Sequence, residues 1–195
     1  MFASEDGRVL GIDPGLSRCG YGAVEQTADG PRAVASGVIR TPASHPIPER
    51  LRELAEELDL VIADLRPSVV VVERVLFQAN ARTAMAVGQA SGLALLTAAR
   101  RGLPVVEYSP NEVKQAVAGY GAAGKGQVQA MVKALLALPE IPEPPDVADA
   151  LALALCHVTV GPLKERLAEA GGSTARVAGL DRAIGAALAK DGARR

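Results

Sequence analysis

Aromatic, sulfur and imidazole side chains are scarce: 195 residues hold no tryptophan, two phenylalanines, three tyrosines, two cysteines and two histidines. Cys19 and Cys156 are isolated, with no second cysteine nearby and no paired histidine at zinc-ligand spacing. That excludes a disulfide framework and a structural zinc site, and both cysteines read as small core hydrophobes. His45 lies in the proline-rich Ser44-His45-Pro46-Ile47-Pro48, and His157 lies in an apolar segment. Neither has a partner in sequence, and no Ser-His-Asp pattern surrounds Ser17 or Ser109, which argues against covalent hydrolysis. The paucity of aromatics speaks against a platform that stacks single-stranded bases. No apolar run approaches the roughly 18 residues that span a bilayer. The start, Met1-Phe2-Ala3-Ser4-Glu5-Asp6, lacks the basic and apolar regions of a signal peptide. The expectation is a soluble, cytoplasmic protein with no membrane partner.

Charge is nearly balanced at −1, which by itself offers no pull toward phosphate. The distribution says more. From Arg74 to Lys133 the bases are Arg74, Arg82, Arg100, Arg101, Lys114, Lys125 and Lys133, against the acids Glu107 and Glu112. Acids gather instead on Glu49, Glu53, Glu56, Glu57, Asp59 and Asp64, which at helical spacing read as a solvated face.

Arg8 to Asp13, Cys19 to Gln26 and Arg32 to Thr41 read as three strands in a meander, divided by Pro14-Gly15 and Asp29-Gly30-Pro31. Leu51, Leu54, Leu58, Val61 and Leu65 recur at helical spacing up to Pro67, and Val69 to Glu73 is the β-branched run of a strand buried on both faces. Asn80 can cap a helix whose stripe, Ala81, Ala84, Met85, Gly88, Ser91, Gly92, Leu95 and Leu96, is mostly small. A fifth strand at Pro104 to Tyr108 and helices at Pro110 to Val117, Gln127 to Leu138 and Asp146 to Val160 complete the pattern. The class is α/β with a mixed sheet. Residues 1–160 form one domain, and 161–195 a tail, partly helical or disordered.

Four carboxylates stand where burial would be costly. Glu73 ends Val69-Val70-Val71-Val72-Glu73; Asp13 ends a strand at Gly11-Ile12-Asp13-Pro14-Gly15; Asp146 and Asp149 open the apolar Ala150-Leu151-Ala152-Leu153-Ala154-Leu155. Acids three apart on a helix are neighbours, about 5–6 Å between Cβ atoms, and a buried carboxylate needs a cation or a proton. A divalent metal site is the natural inference. The glycine-rich Gly119-Tyr120-Gly121-Ala122-Ala123-Gly124-Lys125-Gly126 imitates a nucleotide phosphate loop, but Gly126 offers no hydroxyl for Mg²⁺ and a short helix, not a strand, precedes it. A loop offering Lys125 and backbone N–H groups to a nucleic-acid phosphate is the better reading.

Six motifs in order resemble the RuvC Holliday junction resolvases, of ribonuclease H-like fold, over Arg8 to Val160. They are Gly11-Ile12-Asp13-Pro14-Gly15, Val71-Val72-Glu73-Arg74-Val75, Asn80 through Gly88-Gln89-Ala90-Ser91-Gly92, Glu107-Tyr108 through Val113-Lys114-Gln115-Ala116-Val117-Ala118-Gly119-Tyr120-Gly121, Lys125-Gly126-Gln127-Val128-Gln129 and Asp146-Val147-Ala148-Asp149-Ala150-Leu151-Ala152. The resemblance implies a five-stranded sheet, three strands antiparallel and then parallel ones, flanked by helices. It implies a homodimeric endonuclease that makes paired symmetric nicks in a four-way DNA junction, serves recombination and repair, and works with the RuvA-RuvB branch-migration complex. Asp13, Glu73, Asp146 and Asp149 fall on the family's catalytic, metal-holding acids, for two Mg²⁺ or Mn²⁺ ions about 3.5–4 Å apart. Lys114 and Lys125 fall on its phosphate-contacting lysines. Arg74, Leu76, Phe77 and Asn80 join them as candidate DNA contacts, with Leu76 and Phe77 alternatives for the residue that enters the junction. The dimer helix corresponds to Asn80 to Arg100. The rival reading, an ATP-binding protein of the sugar-kinase and chaperone ATPase group, shares the core fold and a Gly-x-Asp-x-Gly loop. It requires a second phosphate loop and a chain about twice as long.

Overall fold

Alternation and apolar runs become a single five-stranded sheet. The computed structural model describes residues 7–74 and 81–171. Strands β1 (Arg8–Asp13), β2 (Arg18–Thr27) and β3 (Gly30–Arg40) form the antiparallel meander. Strand β4 (Val69–Glu73) then lies parallel to β1, and β5 (Val105–Tyr108) parallel to β4, giving the order β3-β2-β1-β4-β5. Crossover helices α1 (Ile47–Leu65) and α2 (Ala81–Arg100) carry the parallel connections, and α3 (Pro110–Ala118), α4 (Lys125–Leu135) and α5 (Pro145–Gly171) follow.

The two faces are packed by different helices. On one, Leu10, Ile12, Cys19, Ala23, Val70 and Val72 meet Leu54, Leu58 and Ile62 of α1 and Ala90, Ala94 and Ala98 of α2. Helix α1 presents residues spaced by four to that core and stops at Arg66, which takes the left-handed conformation of a helix cap and donates its N–H to the Ile62 carbonyl oxygen. Burial drives the Cys19 thiol up to about 12, so it is inert at neutral pH. On the other face lies α5, almost wholly buried from Val147 to His157.

Glycine decides how closely α5 sits. Gly11 pairs with Gly22 and Asp13 with Gly20 across β1 and β2, so all four point to the α5 face. A Cβ at Gly11 would stand 2.1 Å from the Ala150 carbonyl oxygen, and one at Gly20 2.1 Å from that of Asp146. At Gly22 the added atom would lie 2.8 Å from the Leu151 side chain. The helix backbone therefore rests directly on the strands, and its first turn is carried to the end of β1.

Two helices differ from the sequence expectation. Helix α4 begins at Lys125 because Gly124 caps it, with the Gln127 side chain accepting from the Gly124 N–H at 2.9 Å. It ends early, before Ala137 enters the left-handed region at φ 49°. Helix α5 does not stop at Val160: it passes through Pro162 to Gly171, so the segment expected as a tail begins as helix. Proline forfeits one backbone donor, and the Leu163 to Ala170 run that follows is rich in strong helix formers. Contacts divide the chain into Met1–Thr159 and Val160–Arg195.

Counting unbroken apolar runs also missed a feature of α5. Pro145–Lys164 has the length and mean hydropathy, 1.4, of a membrane span, yet 61% of its most apolar window is buried in the protein. It is the core helix, made apolar nearly all round by what surrounds it.

Gly20→Ala or Gly11→Ala is expected to lower the urea unfolding free energy by about 1–3 kcal/mol through forced displacement of α5. Gly126→Ala, where an added Cβ meets nothing within 4 Å, is expected to be neutral or stabilising by up to about 1 kcal/mol. Equal melting of Gly20→Ala and wild type would contradict the close approach.

Candidate active site

Three elements end at the same place. Asp13 is the last residue of β1, beside a turn so tight that a Cβ at Gly15 would stand 2.2 Å from the Arg18 carbonyl oxygen. Glu73 is the last residue of β4, one beyond the Ile12–Val72 pair, and is level with Tyr108 on β5. Asp146 and Asp149 lie in the first turns of α5, which Gly20 and Gly11 hold against the sheet.

The acids act on one another. Burial, then the charges of Asp149, Glu73 and Asp146, raise Asp13 to about 7, with Lys125 opposing. Burial, then Asp149, also raises Glu73, while Lys125 and Lys114 pull it down. Lys125 donates to Asp149 Oδ2 at 2.7 Å, and that hydrogen bond raises the lysine further above its ordinary range. Sequence reasoning selected all four acids and both lysines, and the fold brings them to one end of the sheet.

Other candidates fare differently. Arg74 is exposed, with its guanidinium donating to the Glu107 carbonyl oxygen at 3.3 Å. Leu76, Phe77 and Asn80 lie outside the described residues. The glycine-rich segment is a link between helices: Gly119 closes α3 at φ 84°, Gly124 caps α4, and the Tyr120 hydroxyl donates to Gln127 Oε1 at 2.7 Å. The basic middle third is not all free, because Arg101 makes a forked pair with Asp59, both bonds 2.7 Å, joining it to the acidic face of α1.

Several contributors escaped the sequence. Arg18 Nε stands 3.5 Å from Asp146 Oδ2. His157, on α5, has Nδ1 3.0 Å from the Tyr108 hydroxyl, tying the helix to the strand residue beside Glu73. His45 pairs with Glu53 at 2.9 Å. Gly20 and Gly22 in a strand-like run were a legible signal of close backbone approach; Arg18 had none, because its contact is with a residue far along the chain.

The donor set suits a hard divalent ion. Asp146 Oδ2 is buried and accepts no hydrogen bond, an expensive state for a carboxylate oxygen. Clustered carboxylates favour Mg²⁺ or Mn²⁺ over softer metals. Among the described residues, the trio with ligand atoms all within 4.8 Å of one another is His45, Glu49 and Glu53, at the start of α1.

Comparison with known proteins identifies the family. Residues 9–157 match the family model described as crossover junction endodeoxyribonuclease RuvC. A curated relative of that name from Parafrankia sp. is 54% identical over 162 residues, 82% of this chain and 90% of the relative. The solved Thermus thermophilus RuvC is 37% identical, with TM-score 0.75 over 80% of this chain and 96% of that one. T. thermophilus RuvC in complex with a Holliday junction substrate is 38% identical, with TM-score 0.76 over 80% and 95%. With a ribonuclease H-like sheet, a matching family model over most of its length and relatives at this identity, the chain belongs to the RuvC family of crossover junction endodeoxyribonucleases.

Proposed function

We propose that the protein resolves Holliday junctions by paired symmetric nicks in strands of like polarity, leaving 5′-phosphate and 3′-hydroxyl ends, in recombination and repair. The observation that carries the reading is the electrostatic coupling of Asp13, Glu73, Asp146 and Asp149 at one end of the sheet, with Lys125 seated on Asp149. Asp13, Glu73, Asp146 and Asp149 would hold two Mg²⁺ or Mn²⁺ ions per site, which would supply an activated water and charge compensation at the leaving oxygen.

The chain's own groups do the rest. Asp13, raised to about 7 and so partly protonated near neutral pH, would release its proton to solvent if a divalent ion took its carboxylate. Lys125, 61% exposed in its side chain, and Lys114 orient the strand through its phosphates. Arg74 contacts the backbone, and Leu76 or Phe77 with Asn80 meets the junction bases. No histidine base is needed: His157 is buried against Tyr108 and His45 is paired to Glu53.

A second copy supplies the second nick, since a two-fold dimer presents equivalent sites to a near two-fold substrate. The exposed line Met85, Gly88, Gly92 and Leu96 on α2 is suited to that contact, while Ala90, Ala94 and Ala98 fill the protomer's own core. RuvA-RuvB is the expected partner complex, in the cytoplasm.

The protein, incubated with a synthetic four-way junction, linear duplex and ATP in Mg²⁺, Mn²⁺ or chelator, is expected to nick the junction alone, symmetrically, and only with metal. ATP turnover without nicking would overturn the reading. Glu73→Gln is expected to keep junction binding and to lose about 100-fold or more of the nicking rate.

Asp13 also sets a pH dependence. Its folded pKa of about 7 lies above the ordinary 3.8 of an unfolded chain, so the folded state binds the extra proton between those values. Stability in chelator therefore falls as pH rises through that window, by at most about 4 kcal/mol. Thermal melts from pH 5 to pH 8 in chelator are expected to show this slope in wild type and a shallower one in Asp13→Asn, where raised Glu73 still contributes; that variant is more stable at pH 8 yet inactive. A wild-type slope of opposite sign would refute the buried, crowded Asp13.

A further inference from the structure

The two aspartates of α5 are partnered unequally. Asp149 receives Lys125 at 2.7 Å in hydrogen-bond geometry. Asp146 Oδ2 is buried and accepts no hydrogen bond, although Arg18 Nε stands 3.5 Å away. Arg18 opens β2 two residues before Gly20, so its side chain leaves the sheet on the face that α5 covers. The Arg18 side chain is 52% exposed and that of Asp146 16%. The guanidinium thus spans from a dry carboxylate to open solvent.

Such a pair exchanges readily. At 3.5 Å and outside hydrogen-bond geometry, Arg18 recovers little of the solvation that Oδ2 has lost. A hard dication satisfies a carboxylate oxygen better. Guanidinium is always charged, and its planar fork matches phosphate. A DNA phosphate approaching four acids is repelled unless cations meet it, and Arg18 is within reach of both acid and solvent.

We propose that Arg18 is a two-position residue of this site: it neutralises Asp146 when no divalent ion is bound, and turns to a DNA backbone phosphate when a divalent ion takes the Asp146 carboxylate. The inference rests on the nuclease reading and deepens it by naming a DNA contact that depends on metal. Linkage makes the coupling reciprocal, so DNA that engages Arg18 also favours metal binding.

The test uses full-length protein, Ca²⁺ as the divalent probe and a synthetic four-way junction. Calorimetry measures Ca²⁺ binding without DNA, and anisotropy measures junction affinity against salt in Ca²⁺ and in EDTA. Arg18→Gln is expected to bind Ca²⁺ more tightly than wild type, because the competing cation is gone. In Ca²⁺ its junction affinity falls about 3- to 10-fold and the salt slope by about 0.9, the signature of one lost phosphate contact. In EDTA it matches wild type, and Arg18→Lys keeps the wild-type slope in Ca²⁺. Equal loss in Ca²⁺ and EDTA, no loss in Ca²⁺, or weaker Ca²⁺ binding would each overturn the proposal. The same readings on Arg18→Met guard against one variant that merely misfolds. Failure of wild type itself to bind the junction in Ca²⁺ would instead defeat the nuclease reading, and the inference with it.

Discussion

Backbone-to-backbone contact between α5 and the β1–β2 pair is the constraint on which the rest depends. Gly11, Gly20 and Gly22 leave no room for a Cβ beneath Ala150, Asp146 and Leu151. The helix is thereby fixed in height and register on the sheet, and its two acids arrive beside Asp13. Hydrophobic burial from Val147 to Cys156 supplies the attraction. The glycines set the distance at which that attraction stops.

Crowding follows from the same contact. Four carboxylates around one strand end, two of them raised by burial, form a site that holds charge at a cost to the fold. Lysine and arginine reduce that cost unequally: Lys125 makes a full hydrogen bond to Asp149, whereas Arg18 reaches Asp146 without one. Strands and a buried helix make the support rigid, since Tyr108 and His157 join the neighbour of Glu73 to α5. The acids are held by strand ends and a buried helix, whereas their cationic partners sit on long, exposed side chains.

Much of the fold was legible because the patterns are local. The β-branched run before Glu73, the leucine spacing of α1 and the turn glycines each fix an element through nearest neighbours. The element edges were less legible. Gly124 acts as an N-cap through Gln127, and Pro162 sits within a helix that its neighbours sustain. The acids were visible because a carboxylate beside an apolar run is conspicuous anywhere. The partners of His45 and Arg101 were not, as they come from other turns or elements.

Sequence by itself determined the strand and helix content, the identity of the four acids and the two lysines, and the family those motifs resemble. The elements and the acids depend on periodicity and on residue chemistry at fixed spacing, while Lys114 is singled out only by the family resemblance. Tertiary structure alone decided that Gly20 lies under Asp146, that Lys125 bridges to Asp149 and that Arg18 faces an unsatisfied carboxylate oxygen. Each of those contacts joins residues more than twenty positions apart. Their distance is set by how closely a helix packs on a sheet, a property of two surfaces together that no single segment encodes.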